Sequence, residues 1–271
     1  MEATGFVAAL PMYDFPWVAE ATDAVWRALA GRLRESGLEA PETLERTRPA
    51  MEVWRDPRLL FGQTCGFPYW QSLRDRVSIV ATPVFAFEGC DGPDHCSFVV
   101  SRKGGLRKRL EDFRGAVAAI NGRDSNTGMN LFRAAVAPLA NGAPFFGEVI
   151  VTGAHFQSLE AVAEGRADIA AVDCVSFALL AKGVPHLVER IDIVARTPAT
   201  PALPYIASAT LSSGHLAAIR DAVVQTLADP ALAPHLASLG LVGTAVLPPE
   251  AYARVDELAK FAADLGYPEL A

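Results

Sequence analysis

Polar clusters able to hold an anion recur in this chain, each directly after an apolar run of strand length. The richest is Asn121-Gly122-Arg123-Asp124-Ser125-Asn126-Thr127-Gly128, between Ala116-Val117-Ala118-Ala119-Ile120 and the helical run Met129 to Ala137. Ser125, Asn126 and Thr127 therefore fall at a helix start, where backbone N–H groups lack intrahelical partners and the macrodipole favours negative charge. Hydroxyls and free amides at such a start form a general anion pocket. The same residue types are also the preferred N-caps, so both readings stay open for this stretch. His155 lies at a second strand-to-helix turn, after Val149-Ile150-Val151 and ahead of Ser158, Leu159, Ala161 and Val162. Its imidazole can donate to an anion or satisfy a loop carbonyl. Asp173 ends the run Ile169 to Val172, as the N-cap of the next helix or as an acceptor for a ligand. Asp168 reads as a turn residue.

A second set stands nearer the N-terminus. Tyr13 lies in the loop after Phe6–Leu10, and Gln63-Thr64 directly follow Leu59-Leu60-Phe61-Gly62. Open α/β sheets present ligand-binding groups at such turns after buried strands. Gln63 and Thr64 can therefore bond a ligand, or cap the next helix. The chain has no nucleophile–base pair recognisable from sequence and no Walker phosphate loop. Its four cysteines, Cys65, Cys90, Cys96 and Cys174, form no C-x-x-C pair and have no histidine at zinc spacing. No metal and no cofactor is expected.

Positioning these groups takes an alternation of strands and helices. Val18, Thr22, Val25, Leu29 and Leu33 recur at helical spacing up to Gly37, with Trp26 read as packing. Val77 to Ala81 is strand-like and ends at Thr82-Pro83. Residues 85–96 are rich in Gly, Pro and Asp, and Pro198, Pro201 and Pro204 punctuate a second irregular stretch. Between them lie Ser97–Val100, the Asn121–Gly128 block and the strand Ile191–Ala195. Leu216, Ile219, Val223 and Leu227 mark a helix, followed by helices over Ala231–Leu239 and Pro249–Leu265.

This alternation predicts an α/β fold with mainly parallel sheets, in two Rossmann-like lobes. Residues 1–85 with 203–271 form a discontinuous lobe, and residues 97–195 a contiguous one. Residues 86–96 and 196–202 are the hinge crossings, which suits a cleft closing about its ligand.

At 271 residues, a chain of two domains is expected. A net charge of −7 gives nucleic-acid binding no electrostatic support. The one dense basic cluster, Arg102-Lys103 with Arg107-Lys108-Arg109, sits beside Glu111 and Asp112 and reads as a solvated surface. No apolar run is long enough for membrane insertion. Cys90 and Cys96 flank a loop short enough for a disulfide, which an oxidising compartment would favour and a reducing one would not.

The blocks Asp112-Phe113-Arg114-Gly115, Asn121 to Gly128, Gly153-Ala154-His155, Ser158 to Val162 and Gly165 to Asp173 follow one another in a fixed order. In that order and spacing, over roughly residues 5 to 240, the chain resembles the phosphate/phosphonate-binding family of ABC-transporter solute-binding proteins. The resemblance implies the type II periplasmic-binding-protein fold, with two lobes joined by two hinge crossings. It implies a small oxyanion such as a phosphonate, phosphate or phosphite as ligand, and an ABC transporter permease as partner. By the same resemblance, Ser125, Asn126, Thr127 and His155 contact the anion. Asp173 accepts from a protonated oxygen or an amine, and Tyr13, Gln63 and Thr64 close the site from the outer lobe. Asn126 stands where the family usually has Ser or Thr, and His95 where an aromatic is expected.

The resemblance implies a periplasmic protein. Met1-Glu2-Ala3-Thr4 carries no positive charge of a leader, and Phe6–Pro11 is strand-sized, so a genuine start there would make it cytoplasmic. Some cytoplasmic biosynthetic enzymes look like this family, and in that alternative His155 would be the acid or base, beside Asp173 and Cys65.

Overall fold

The computed structural model describes residues 5–271, so the reading of Met1–Thr4 lies outside the described residues. Strands run at Val7–Ala9 (β1), Leu59–Gln63 (β2), Val77–Phe85 (β3), Cys90–Asp91 (β4), Asp94–His95 (β5), Ser97–Arg102 (β6) and Val117–Ile120 (β7). They continue at Glu148–Val151 (β8), Ile169–Asp173 (β9), Ile191–Arg196 (β10), Thr200–Pro201 (β11), Tyr205–Ser208 (β12) and Leu241–Ala245 (β13). The helices are Ala19–Glu35 (α1), Ala50–Trp54 (α2), Gly66–Pro68 (α3), Leu131–Ala140 (α4) and His155–Glu164 (α5). Cys174–Gly183 (α6), Pro185–Val188 (α7), Ser213–Leu227 (α8), Ala233–Leu239 (α9) and Arg254–Asp264 (α10) complete them. Among the described residues no helix is long and apolar enough to cross a membrane.

The chain divides into two compact units. Unit 1 is the chain up to Ala86 together with Pro201–Ala251; unit 2 is Phe87–Thr200 together with Tyr252–Ala271. Unit 1 holds a sheet in the order β1-β2-β12-β3-β13. Its core packs Trp26, Leu29 and Leu33 of α1 against Leu60, Phe61 and Val80, with Ile219 and Val223 of α8. Trp26 stacks on Phe61 and is 1% exposed, the packing role its place in the helical pattern implied.

The strand β3 continues through Pro83 rather than stopping there. Its pairing with β12 ends at Ala81, and Pro83 lies opposite Thr244 of β13 alone. A proline is tolerated in a strand where no neighbour requires its missing N–H. β13 itself interrupts what reads in sequence as two successive helices.

Unit 2 holds a sheet in the order β10-β6-β9-β7-β8. Strands β7, β8 and β9 are parallel, whereas β6 runs antiparallel to both β9 and β10. In unit 1, β1 and β2 are parallel, while β12 and β13 pair antiparallel. The expectation of mainly parallel sheets is thereby corrected to mixed sheets. The parallel strands are linked by helical crossovers; of the reversed ones, β6 and β12 enter from the irregular stretches, and β13 enters from the end of α9.

The C-terminal segment also departs from expectation. Residues 252–271 pack in unit 2, not with the discontinuous lobe. Asn130 donates its side-chain amide to the Val255 carbonyl (2.8 Å), Leu258 packs on Leu131 and Ala134, and the Phe146 N–H donates to the Ala271 carbonyl (3.0 Å). The amphipathic face of α10 could be read from sequence; which core would receive it could not.

Candidate functional site

Because β7, β8 and β9 are parallel, their carboxyl ends share one edge of the unit 2 sheet. β6 begins at that edge, with Ser97 opposite Asp173. Open α/β sheets offer ligand groups there.

After β7 the chain turns at Ser125, whose extended backbone (φ −78, ψ 133) lets its hydroxyl accept the Gly128 N–H at 3.0 Å. The next turn, Asn126–Asn130, is wide: the Asn130 N–H reaches back five residues to the Ser125 carbonyl at 3.0 Å. Wide turns of this kind occur frequently at functional sites. The Asn126 side chain is used internally. Its amide donates to Thr200 Oγ1 (2.9 Å) and its oxygen accepts from the Asn130 amide (3.1 Å).

The Thr127 hydroxyl lies 2.9 Å from His155 Nε2, 28 positions away in the chain, and its carbonyl accepts from the Ser97 hydroxyl at 2.8 Å. His155 is the first residue of α5. Gly128 leaves no room for a side chain: a Cβ there would lie 1.9 Å from Asn121 Oδ1 and 3.1 Å from His155 Cε1. The two strand-to-helix turns are thus joined through backbone, hydroxyl and imidazole.

Asp173 closes this edge. One carboxylate oxygen accepts the Ser176 N–H at 2.8 Å, capping α6, and the other lies 3.1 Å from His95 Nδ1. Both side chains are buried. Burial pushes the Asp173 carboxyl up, but the neighbouring His95, His155 and the Ser176 N–H outweigh it and hold it below the ordinary carboxylate range. Burial lowers the His155 imidazole below the ordinary histidine value, against the opposing pull of Asp173 and the Ala171 carbonyl. Beside them the Thr152 and Ser158 hydroxyls share a 2.6 Å hydrogen bond. Asp168 accepts the Val117 N–H (2.9 Å) and so ties the turn before β9 to β7.

The unit 1 residues are arranged differently. β1 and β2 are parallel with Ala9 opposite Gly62, so Tyr13 and Gln63-Thr64 follow strand ends on one sheet edge. The Tyr13 ring stands edge-on to Phe85 with centroids 5.6 Å apart. Gln63 donates its amide to the Leu203 carbonyl at 3.1 Å. The Thr64 N–H donates to the Pro204 carbonyl (3.2 Å), and its hydroxyl faces the Cys65 carbonyl at 3.4 Å. Neither side chain caps the following helix, whose N-cap position is Cys65.

Ser125, Asn126, Thr127, His155 and Asp173 therefore come together in unit 2. Tyr13, Gln63 and Thr64 share an edge of unit 1, as does Cys65, which has neither His155 nor Asp173 in its own unit. Sequence reasoning missed the supporting residues His95, Ser97, Asn130 and Thr200. Ser97, opening a strand beside an irregular crossing, carried the one usable signal. The basic cluster is a solvated surface as expected: Lys108 pairs with Asp192, Arg107 with Asp168 and Arg109 with Glu111.

All four cysteines are free thiols, and Cys90 meets Cys174 rather than Cys96. The β4–β5 register explains this, since it sets Cys90 opposite His95, and the next residue along a strand points to the other face.

Comparison with known proteins adds an independent line. A family model described as "ABC transporter, phosphonate, periplasmic substrate-binding protein" matches residues 49–252. None of the curated proteins matches the chain. Among solved structures, a binding-protein component of an ABC phosphonate transporter from Pseudomonas aeruginosa superposes with a TM-score of 0.78 at 14% identity, covering 97% of this chain and 88% of its own. PhnD1 from Prochlorococcus marinus, solved with methylphosphonate, gives 0.76 at 12% identity, covering 94% and 97%. XAC2383 from Xanthomonas citri, solved with chloride, gives 0.73 at 17% identity, covering 97% and 99%. At these identities the likeness is one of fold.

Proposed function

Because the chain belongs to the phosphonate-binding family of periplasmic ABC-transporter substrate-binding proteins and has their type II fold, we propose that it captures a small oxyanion on the Ser125–Gly128 helix start. The ligand class is a phosphonate, phosphate or phosphite, and the partner that receives it is an ABC transporter permease. Periplasmic residence, the family's address, is part of this reading.

The observation that carries it is the 2.9 Å contact between the Thr127 hydroxyl and His155 Nε2 at that helix start. When the imidazole donates to Oγ1, the Thr127 hydroxyl proton is released to point at an anion. The first backbone N–H groups of the turn, with no intrahelical carbonyl to reach, add donors along the macrodipole. Dipoles and hydroxyls can hold an oxyanion without a lysine or arginine. Asp173, held ionised, would accept from a protonated ligand oxygen or a ligand amine. The role is capture without turnover: His155 orients a donor and moves no proton to product.

The test is calorimetry and thermal unfolding of the purified protein with methylphosphonate, other phosphonates, phosphate, phosphite and sulfate. A ligand at a hundred times its dissociation constant stabilises by about 2.7 kcal/mol. Absence of heat and of any stabilisation across all of them would sink the proposal. Thr127→Val is the sharpest variant. Ser125→Ala also removes a helix cap, so it confounds binding with stability.

A further inference from the structure

Cys90 and Cys96 stand close together in the chain and Cys174 far from both, yet all three meet within unit 2, and the oxyanion site uses none of them. Cys90 Sγ is 3.5 Å from Cys174 Sγ. The Cys96 thiol is hydrogen-bonded to Cys174 as well, and the Cys174 N–H donates to the Cys96 carbonyl at 3.1 Å. Gly89 shows how tight the cluster is: a Cβ there would lie 2.8 Å from Cys174 Cβ and 3.1 Å from Cys96 Sγ. Cys174 is wholly buried and Cys96 nearly so, whereas Cys90 is partly exposed. One residue of the cluster is thus partly exposed, and the partner its thiol touches is buried.

The geometry points to a reversible disulfide site in which Cys90 and Cys174 form an intrachain bond through exchange with a small-molecule disulfide. The Cys90 thiolate attacks R–S–S–R, forming Cys90–S–S–R and releasing RS⁻. The Cys174 thiolate then attacks Cys90 Sγ, forming Cys90–Cys174 and releasing the second RS⁻. Two protein thiols are oxidised, one small disulfide is reduced to two thiols, and both protein protons end on the leaving groups or in solvent. Closing the pair needs the sulfurs to approach from 3.5 Å to a bond of about 2.05 Å. The β4–β5 turn that carries Cys90 is two residues wide on each side, and such a turn is a segment able to make that approach. The bond to Cys174, with burial, pushes the Cys96 thiol up, and the bond to Cys90, with burial, pushes Cys174 up. Cys90, the one of the three that is not buried, is the thiol a small disulfide reaches first.

The bond would fasten the β4–β5 turn, in which Cys90 lies opposite His95, to the first residue of α6. His95 contacts Asp173 and Cys174 follows it directly, so the clamp would stiffen the carboxylate end of the site.

The experiment treats the folded, reduced protein with oxidised glutathione, quenches with acid, and maps peptides by mass spectrometry, alongside a thiol count in denaturant. The expected result is a linked Cys90–Cys174 peptide lacking two hydrogens, with two of the four thiols lost. Cys174→Ser should trap glutathione on Cys90 as a stable mixed disulfide. A Cys90–Cys96 link, a link through Cys65, or four thiols remaining would overturn the inference. Because the mapping needs no anion, its outcome is independent of the oxyanion reading.

Discussion

The two sheet edges that carry polar residues in this molecule are built alike and finished differently. Each gathers the ends of parallel strands. At the edge of unit 1, Gln63 and the Thr64 N–H spend their donors on the Leu203 and Pro204 carbonyls, and Tyr13 packs edge-on to Phe85. At the edge of unit 2, the Thr127 hydroxyl meets an imidazole, and the Asp173 carboxylate meets a histidine and a helix start. The unit 1 bonds stitch a strand end to its own neighbouring segment. The unit 2 bonds join ionisable or rotatable groups whose protons can be redistributed. Position at a strand end is therefore a weak criterion by itself; what distinguishes the edges is whether a donor's partner is a fixed carbonyl or another group that can give way.

The largest expected effect falls on Asp173. Removing the carboxylate breaks a buried contact to a charged group, worth about 1.5–3 kcal/mol, and removes a helix cap worth about 1 kcal/mol. Asp173→Ala should lose that much stability, because it deprives His95 of its partner and α6 of its cap together. Asp173→Asn, which can still cap, should lose less. Hydrogen exchange read peptide by peptide will show whether the loss is confined to unit 2. Equal loosening of β1 and β2 would erase the contrast between the edges.

Binding separates the edges next. A hydrogen bond to a charged group contributes about 1.5–3 kcal/mol, so Thr127→Val should weaken methylphosphonate binding by roughly 10- to 150-fold in calorimetry. Gln63→Leu, which removes a donor already given to the Leu203 carbonyl, should change it by less than about tenfold. If Gln63→Leu matches Thr127→Val, the unit 1 edge is as much a ligand wall as the unit 2 edge. Ser125→Ala should cost about 1 kcal/mol of stability through the lost cap, with Ser125→Asn restoring most of it in thermal unfolding.

Much of the unit 2 edge was legible in the sequence because its cues are local. Ser125 at an extended position before a helical run, His155 after Val149–Val151 and Asp173 ending an apolar run each stand beside the element that positions them. Both Ser125 and Asp173 cap, which is one of the two roles their positions left open; the ligand role is the proposal. What stayed hidden is long-range. His95 pairs with Asp173 only because β6 runs antiparallel to β9, and Asn126 bonds Thr200 across 74 positions. Strand direction after an irregular crossing, and the docking of α10 in unit 2, depend on which core has room. Hydrophobic spacing records a face to bury, not its partner.

The smallest effect is the one most specific to the unit 2 edge. Burial lowers the His155 imidazole in the folded protein, while the unfolded chain has the ordinary value near 6.5. Between those two values the unfolded state binds more protons, so stability rises with pH across that window and is level above about 6.5. As pH falls below about 6.5 the contribution of His155 is lost, at a slope of at most about 1.4 kcal/mol per pH unit. Asp173, also lowered, adds a second loss only at more acidic pH, below about 3.9. His155 belongs to unit 2, whereas β1 and β2 belong to unit 1. Hydrogen exchange followed from pH 7.5 down to 5 should therefore show protection falling in α5 and β7 while β1 and β2 hold steady. His155→Gln should remove that fall and, because His155 is one of the groups that lower Asp173, should also shrink the Asp173 loss at acid pH. A fall that persists in His155→Gln would assign the proton to another group and detach the Thr127 hydroxyl from the imidazole partner on which its role depends.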